Sequence, residues 1–150
     1  MKLFDLAASA RTVAVVSALA LFVVLFLDWR EVSVRAPGVD VDAASSAWGG
    51  WGAVAGILLV AFLVSVLRGH VVPALVTGLV AAGLTVVEFF TGSVETDVTG
   101  VVSVDTSEEL WPAYVGLGLA IVLGAACAVG LAAASGKLAP PPTRLGPGPV

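Results

Sequence analysis

The sequence predicts an all-α membrane protein, an antiparallel four-helix transmembrane bundle with a small extracytoplasmic β-hairpin or sheet as its cap. Three observations predict it. Hydrophobic residues make up 59% and charged residues only 12% of the chain, where a soluble domain carries about 25% charged residues. The mean hydropathy is +1.06, and 150 residues folded in water could not hide that much apolar surface. Four apolar runs recur along the chain, and the basic residues fall between them on alternate sides.

The spans are placed at about 12–27, 48–67, 71–90 and 111–134, each near the length that a hydrocarbon core of about 30 Å requires. The first follows Lys2 and Arg11 and ends at Asp28-Trp29-Arg30-Glu31. It lacks the small-x-small site of a cleaved signal, so it reads as a retained anchor. Only Arg68, Gly69 and His70 separate the second and third runs, which forces an antiparallel hairpin of helices. His70 reads as a solvated turn residue.

Orientation follows from charge. With the amino terminus in the cytoplasm, Lys2, Arg11, Arg68, Lys137 and Arg144 are inside and only Arg30 and Arg35 outside, as the positive-inside rule requires. Both termini are then cytoplasmic, in a multi-pass protein of the cell membrane. Trp29, Trp48, Trp51 and Trp111 map to the outer ends of spans, where amphipathic indoles favour the interface. They read as an outer aromatic belt, with Tyr114 one turn deeper.

The fourth span repeats small residues every four positions at Gly116, Ala120, Gly124, Ala128 and Ala132. In lipid such a stripe lets helix backbones approach closely, so it is the expected helix-contact face, assigned to packing within the bundle. The third span offers Ala74, Gly78 and Ala82, and the second Gly52 and Gly56. The chain contains no Asn or Gln, which removes two of the usual hydrogen-bonding side chains between buried helices. Thr106-Ser107-Glu108-Glu109 fits a capping box for the last helix, while Pro112 fits a first turn. A bend at Pro112 would reconcile the two.

The outer loops are 28–47 and 91–110. In the first, Glu31 to Arg35 and Val39 to Asp42 alternate apolar and polar residues around Pro37-Gly38, the pattern of a hairpin. Val94 to Val98 and Val102 to Val104 repeat it less cleanly, so a small sheet is expected, with valines toward the bundle and acids toward solvent. Residues 1–135 form the membrane domain. The tail, 136–150, holds Pro140-Pro141-Pro142 and Gly146-Pro147-Gly148-Pro149 and reads as a disordered cytoplasmic segment.

Chemistry is sparse. Glu88 is the one ionisable residue inside a span, and such residues are functional candidates because a central charge costs about 2.5–3.5 kcal/mol on insertion scales. Two residues from the end of its span, its carboxylate is expected to reach headgroups or outer water, or to pair with Arg30 or Arg35. It is the candidate proton or cation site. No HExxH, GxxxxGK or GxGxxG motif occurs, and Cys127 is the sole cysteine. Ser17, Ser65, Thr77 and Thr85 have no nearby His or Asp and are expected to bond back to their own helices. No catalytic, cofactor or metal site is indicated, and the acidic exterior argues against nucleic acid.

Phe26-Leu27-Asp28-Trp29, a β-like loop and then Trp48-Gly49-Gly50-Trp51-Gly52 resemble the small four-span membrane proteins of high-GC Gram-positive bacteria. In those a Leu-Pro-Trp-like turn often ends the first span, and Asp28 stands where that Pro would be. The resemblance covers nearly the whole chain and implies no catalytic residues. The layout is also similar to that of claudins, without their paired loop cysteines. The expected function is that of a structural or accessory subunit acting through lipid, a membrane-protein partner or a homo-oligomer. The alternative is an oligomeric small-molecule or ion transporter using Glu88.

Overall fold

The computed structural model describes residues 3–36, 39–91 and 108–136. The chain is mostly helical, with helices α1 (Leu3–Val24), α2 (Trp51–Leu67), α3 (Val71–Thr91) and α4 (Trp111–Ala134). Strands β1 (Asp28–Ala36), β2 (Val39–Ser46) and the two-residue β3 (Glu108–Glu109) form one sheet of order β2-β1-β3, and a 3₁₀ turn, Ala47–Gly49, leads into α2. α3 and α4 are long and apolar enough to cross a membrane, whereas the apolar part of α1 (Ala8–Val24) and all of α2 are shorter.

The helices follow the apolar runs, with informative differences at the ends. α1 starts at Leu3, well before the expected residue 12, and stops at Val24. The expected span to residue 27 closes instead in tight turns, where Phe26 and Leu27 donate to the carbonyls of Val23 and Val24. α2 begins at Trp51 because Ala47–Gly49 winds separately. α2 ends in a Schellman turn: His70 N donates to Ser65 O at 2.9 Å and Gly69 N to Val66 O at 3.0 Å. Gly69 takes φ +76°, a conformation that costs glycine no Cβ clash. The capping box does not form. Glu108 and Glu109 pair as a strand with Glu31 and Arg30, and α4 starts at Trp111 with the proline in its first turn and no side-chain cap. Pro112 therefore needs no bend.

The helices pack in the order α2, α3, α4, α1, with little contact between α1 and α2. Each turns a face of three- and four-residue spacing inward, as a helical period requires: Ala14, Ala18 and Leu21 on α1; Ala55, Leu59 and Phe62 on α2; Ala74, Ala81 and Thr85 on α3. Small residues set the close approaches. A Cβ on Gly78 would lie 2.8 Å from Cys127 Sγ and 2.9 Å from a Phe62 ring carbon. Thr77 and Thr85 donate to carbonyls of their own helix, to Ala74 and Pro73 and to Ala81 respectively.

On α4 the buried positions are Ala113, Gly116, Ala120, Leu123 and Cys127, flanked by Pro112 and Ala126. The expected stripe shares Gly116 and Ala120 with this face and then leaves it: Gly124 is half-buried beside Ala82, and Ala128 is exposed. At about 100° per residue, a four-residue repeat drifts about 40° per step, and three steps carry it off the contact. Alternating steps of three and four hold the line.

The first hairpin forms as expected, with Val34 opposite Val41 and Ala36 opposite Val39. The second alternating segment, 94–104, and the tail, 137–150, lie outside the described residues, as do Pro37 and Gly38. Between Asp28 and Arg30 the β1–β2 register slips, so Trp29 is the extra residue of a bulge. A regular strand points neighbours to opposite faces. The bulge breaks that alternation, and Trp29 (1% exposed) and Arg30 (6% exposed) are both buried.

Candidate functional site: a buried arginine–glutamate junction

Arg30 leaves the sheet and meets the last turn of α3. Its Nη2 donates to the carbonyls of Phe89 at 2.6 Å and Glu88 at 3.1 Å. These carbonyls belong to the set that a helix end leaves without intrahelical partners. A guanidinium there satisfies them and opposes the negative end of the helix dipole. Arg30 Nη1 also lies 3.9 Å from Glu88 Oε1, an ion pair rather than a hydrogen bond at that distance.

The other carboxylate oxygen of Glu88 faces α2. Gly52 N, in the first turn of that helix, donates to Glu88 Oε2 at 3.3 Å, a negative charge at the positive helix end. Glycines make the room. A Cβ on Gly50 would sit 2.7 Å from Glu88 Oε2, and one on Gly52 would run into the backbone carbonyl of Ala47. The Gly49-Gly50-Trp51-Gly52 cluster thus has a use at two positions: it admits the carboxylate and lets the 3₁₀ turn fold back on α2. Because the obstacle at Gly52 is backbone, which has no rotamer to escape to, Gly52→Ala is expected to cost about 1–3 kcal/mol, read as a lower midpoint in detergent-titrated unfolding.

Glu88 itself is 5% exposed. The expectation that it reaches headgroups or outer water is corrected: α2, α3 and β1 enclose it, and Arg30 is the partner in contact. Among the described residues it forms the single ion pair of the chain, and no group of three or more His, Cys, Asp or Glu comes together. The arrangement exchanges charge between three elements.

The belt of four tryptophans divides. Trp51 (52% exposed) and Trp111 (67% exposed) face outward with Tyr114. Trp29 does not: its ring fills the hollow over Gly116, where a Cβ would collide with it, and its Nε1 donates to Val24 O at 2.9 Å. Trp48 is half-buried against Gly56 and between Phe22 and Phe26, with ring centroids 6.2 and 4.8 Å away. These two indoles are packing residues at the junction of helices and sheet. Sequence reasoning turned them outward from the helices, whereas packing turns them inward. The readable signal was an adjacent Trp29-Arg30 beside a strand start, because a bulky ring and a charge at consecutive positions demand either opposite environments or a bulge.

The sheet and the second helix junction meet here as well, since Leu110 N donates to Trp29 O at 2.8 Å and Arg30 and Glu31 pair with Glu109 and Glu108. Trp29 and Arg30 thus tie β1 to the ends of α1 and α3, to the start of α4 and to the other two strands. No family model matches the chain, and no curated protein or solved structure matches it.

Proposed function

We propose that the chain is a four-span integral membrane protein of the cell membrane, with both termini cytoplasmic, and that it serves as a structural or accessory subunit through its outer surfaces. The observation that carries the accessory role is the buried junction. Arg30 and Glu88 spend their charge on each other, on the end of α3 and on the start of α2, so the interior holds the fold together and the surfaces remain for contacts. We assign the chain no catalytic role.

Support for the spans comes from the outward faces. Val16, Val23, Ile57, Val72 and Ile121 are each more than half exposed, and apolar side chains of this kind line all four helices. Only 39% of the most apolar stretch of α3 and 28% of that of α4 is buried, whereas the core helix of a soluble protein is mostly covered. Contiguous apolar patches on soluble monomers seldom exceed a few hundred Å². The two shorter helices are compatible with crossing. α2 has 17 residues, about 25 Å at 1.5 Å per residue, and the 3₁₀ turn before it extends the apolar segment. Arg11 and Arg68 stand at the end of the bundle away from the sheet, which agrees with a cytoplasmic location for the end opposite the sheet.

Cysteine labelling tests the topology. With Cys127, which is fully buried, replaced by Ala, a single cysteine at exposed Ala44 is expected to react with an impermeant maleimide in intact cells, and one at His70 only after permeabilisation. Reaction of both from the same side would overturn the arrangement. Crosslinking in the native membrane followed by mass spectrometry tests the role: recovered links from the outer loops to a second protein, or to another copy of the chain, are expected. A monodisperse monomer without links would count against it.

A further inference from the structure

The seam between α1 and α2 is the least packed of the bundle, and its two ends are closed differently. At the sheet end Phe22, Phe26 and Trp48 wedge it shut, with centroid separations of 5.3, 6.2 and 4.8 Å. At the opposite end no aromatic pair bridges the two helices among the residues whose side chains are described. A partly open cleft with a cavity of about 30 Å³ runs there between Arg11 of α1 and Phe62, Val66, Val71, Ala74 and Leu75 of α2 and α3. Arg11 is the one charged group in its lining and is exposed. Among the described residues no carboxylate pairs with it. Arg68 and His70, both exposed, stand on the turn beside the same opening, and Asp5 lies six positions nearer the start of α1.

We propose that this cleft binds an anionic phospholipid of the cytoplasmic leaflet, its phosphodiester on the Arg11 guanidinium and one acyl chain laid along the α1–α2 seam over Phe62 and Val66. The inference rests on the four-span reading above. A guanidinium presents paired donors that match phosphate oxygens, and Arg68 on the neighbouring turn adds a second positive charge. The floor of the cleft is apolar, and a gap there forfeits dispersion contacts that a hydrocarbon chain restores. The cavity is of the order of one small group in volume, so the acyl chain is seated in the seam and not enclosed by the bundle.

The test is native mass spectrometry of the full chain released from nanodiscs of equal parts phosphatidylcholine and phosphatidylglycerol. Phosphatidylglycerol is expected to be retained about fivefold over phosphatidylcholine, the preference that one arginine near a membrane surface confers. Arg11→Gln should abolish the preference. Val71→Phe, which fills the cleft and keeps the charge, should abolish it independently, with Val66→Phe as the second filling variant if the first fails to fold by circular dichroism. Millimolar inorganic phosphate should leave the lipid-bound species unchanged. Equal retention of the two lipids by the wild type overturns the proposal. So does a preference that survives the folded filling variants, which would mark a surface charge alone, and so does displacement by inorganic phosphate. Alkaline carbonate separates the two readings: a chain stripped from the membrane overturns the four spans and this site together, whereas a chain that stays and shows no preference overturns this site only.

Discussion

Arg30→Met is expected to destabilise the fold by about 3–5 kcal/mol, because it leaves Glu88 buried without its compensating charge. The same change strips the Glu88 and Phe89 carbonyls of their donor. Glu88→Leu strands Arg30 and removes the acceptor for Gly52 N, and a comparable loss is expected. The double variant is the discriminating measurement. Replacing both partners of a buried pair by apolar groups is often close to neutral, so Arg30→Met/Glu88→Leu should be more stable than either single variant. A residual cost of about 1–3 kcal/mol is expected from the orphaned Gly52 N–H. Unfolding titrations followed by far-UV circular dichroism read all three. Single variants that each cost under about 1 kcal/mol, the range of an exposed pair, would show that the junction does not hold the bundle. Glu88→Gln separates this role from ion transport: an amide oxygen still accepts from Gly52 N, so a moderate loss of stability is expected, while a flux that stops in proteoliposomes with stability unchanged would favour the transporter.

Trp29→Ala is expected to cost about 3–5 kcal/mol, the usual range for emptying a buried aromatic site. The ring has no other place to go, being held by Nε1 to Val24 O and by the surface of Gly116. From the other side, Gly116→Val should cost about 1–3 kcal/mol by overpacking. Combined, the two changes should cost less than their sum, because the valine occupies part of the space the indole vacates and contacting residues couple. Strict additivity would mean that Trp29 and Gly116 do not share one packing site.

Much of this architecture is written locally. The apolar runs gave α2, α3 and α4 to within a few residues, Arg68-Gly69-His70 gave the turn, and the alternation around Pro37-Gly38 gave the β1–β2 hairpin. What escaped depends on partners far along the chain. Glu108 and Glu109 carry a good local capping signal, yet they pair with a strand almost eighty residues earlier, and tertiary pairing overrode the local preference. The side that Trp29 takes is decided by one bulge, and the drift of the small-residue stripe on α4 is fast enough that only Gly116 and Ala120 stay on the buried face. Glu88 was singled out for its burial cost, and Arg30 was one of two arginines named for it. Of the two glycines that receive its carboxylate, Gly52 was counted with Gly56 among small residues for helix contact and Gly50 only within the Trp48-Gly49-Gly50-Trp51-Gly52 motif, since nothing near them in sequence announces a charge.

The seam partners carry a consequence for assembly. The broad contact of α1 is with α4, and its contact with α2 is slight. In a chain made from its amino terminus, the first helix therefore has no proper mate until residues 111–134 exist, while α2 and α3 find each other across three residues. Formation of the bundle is closed last by its most distant pair in sequence, and truncation within α4 should release α1 as well as the segment removed.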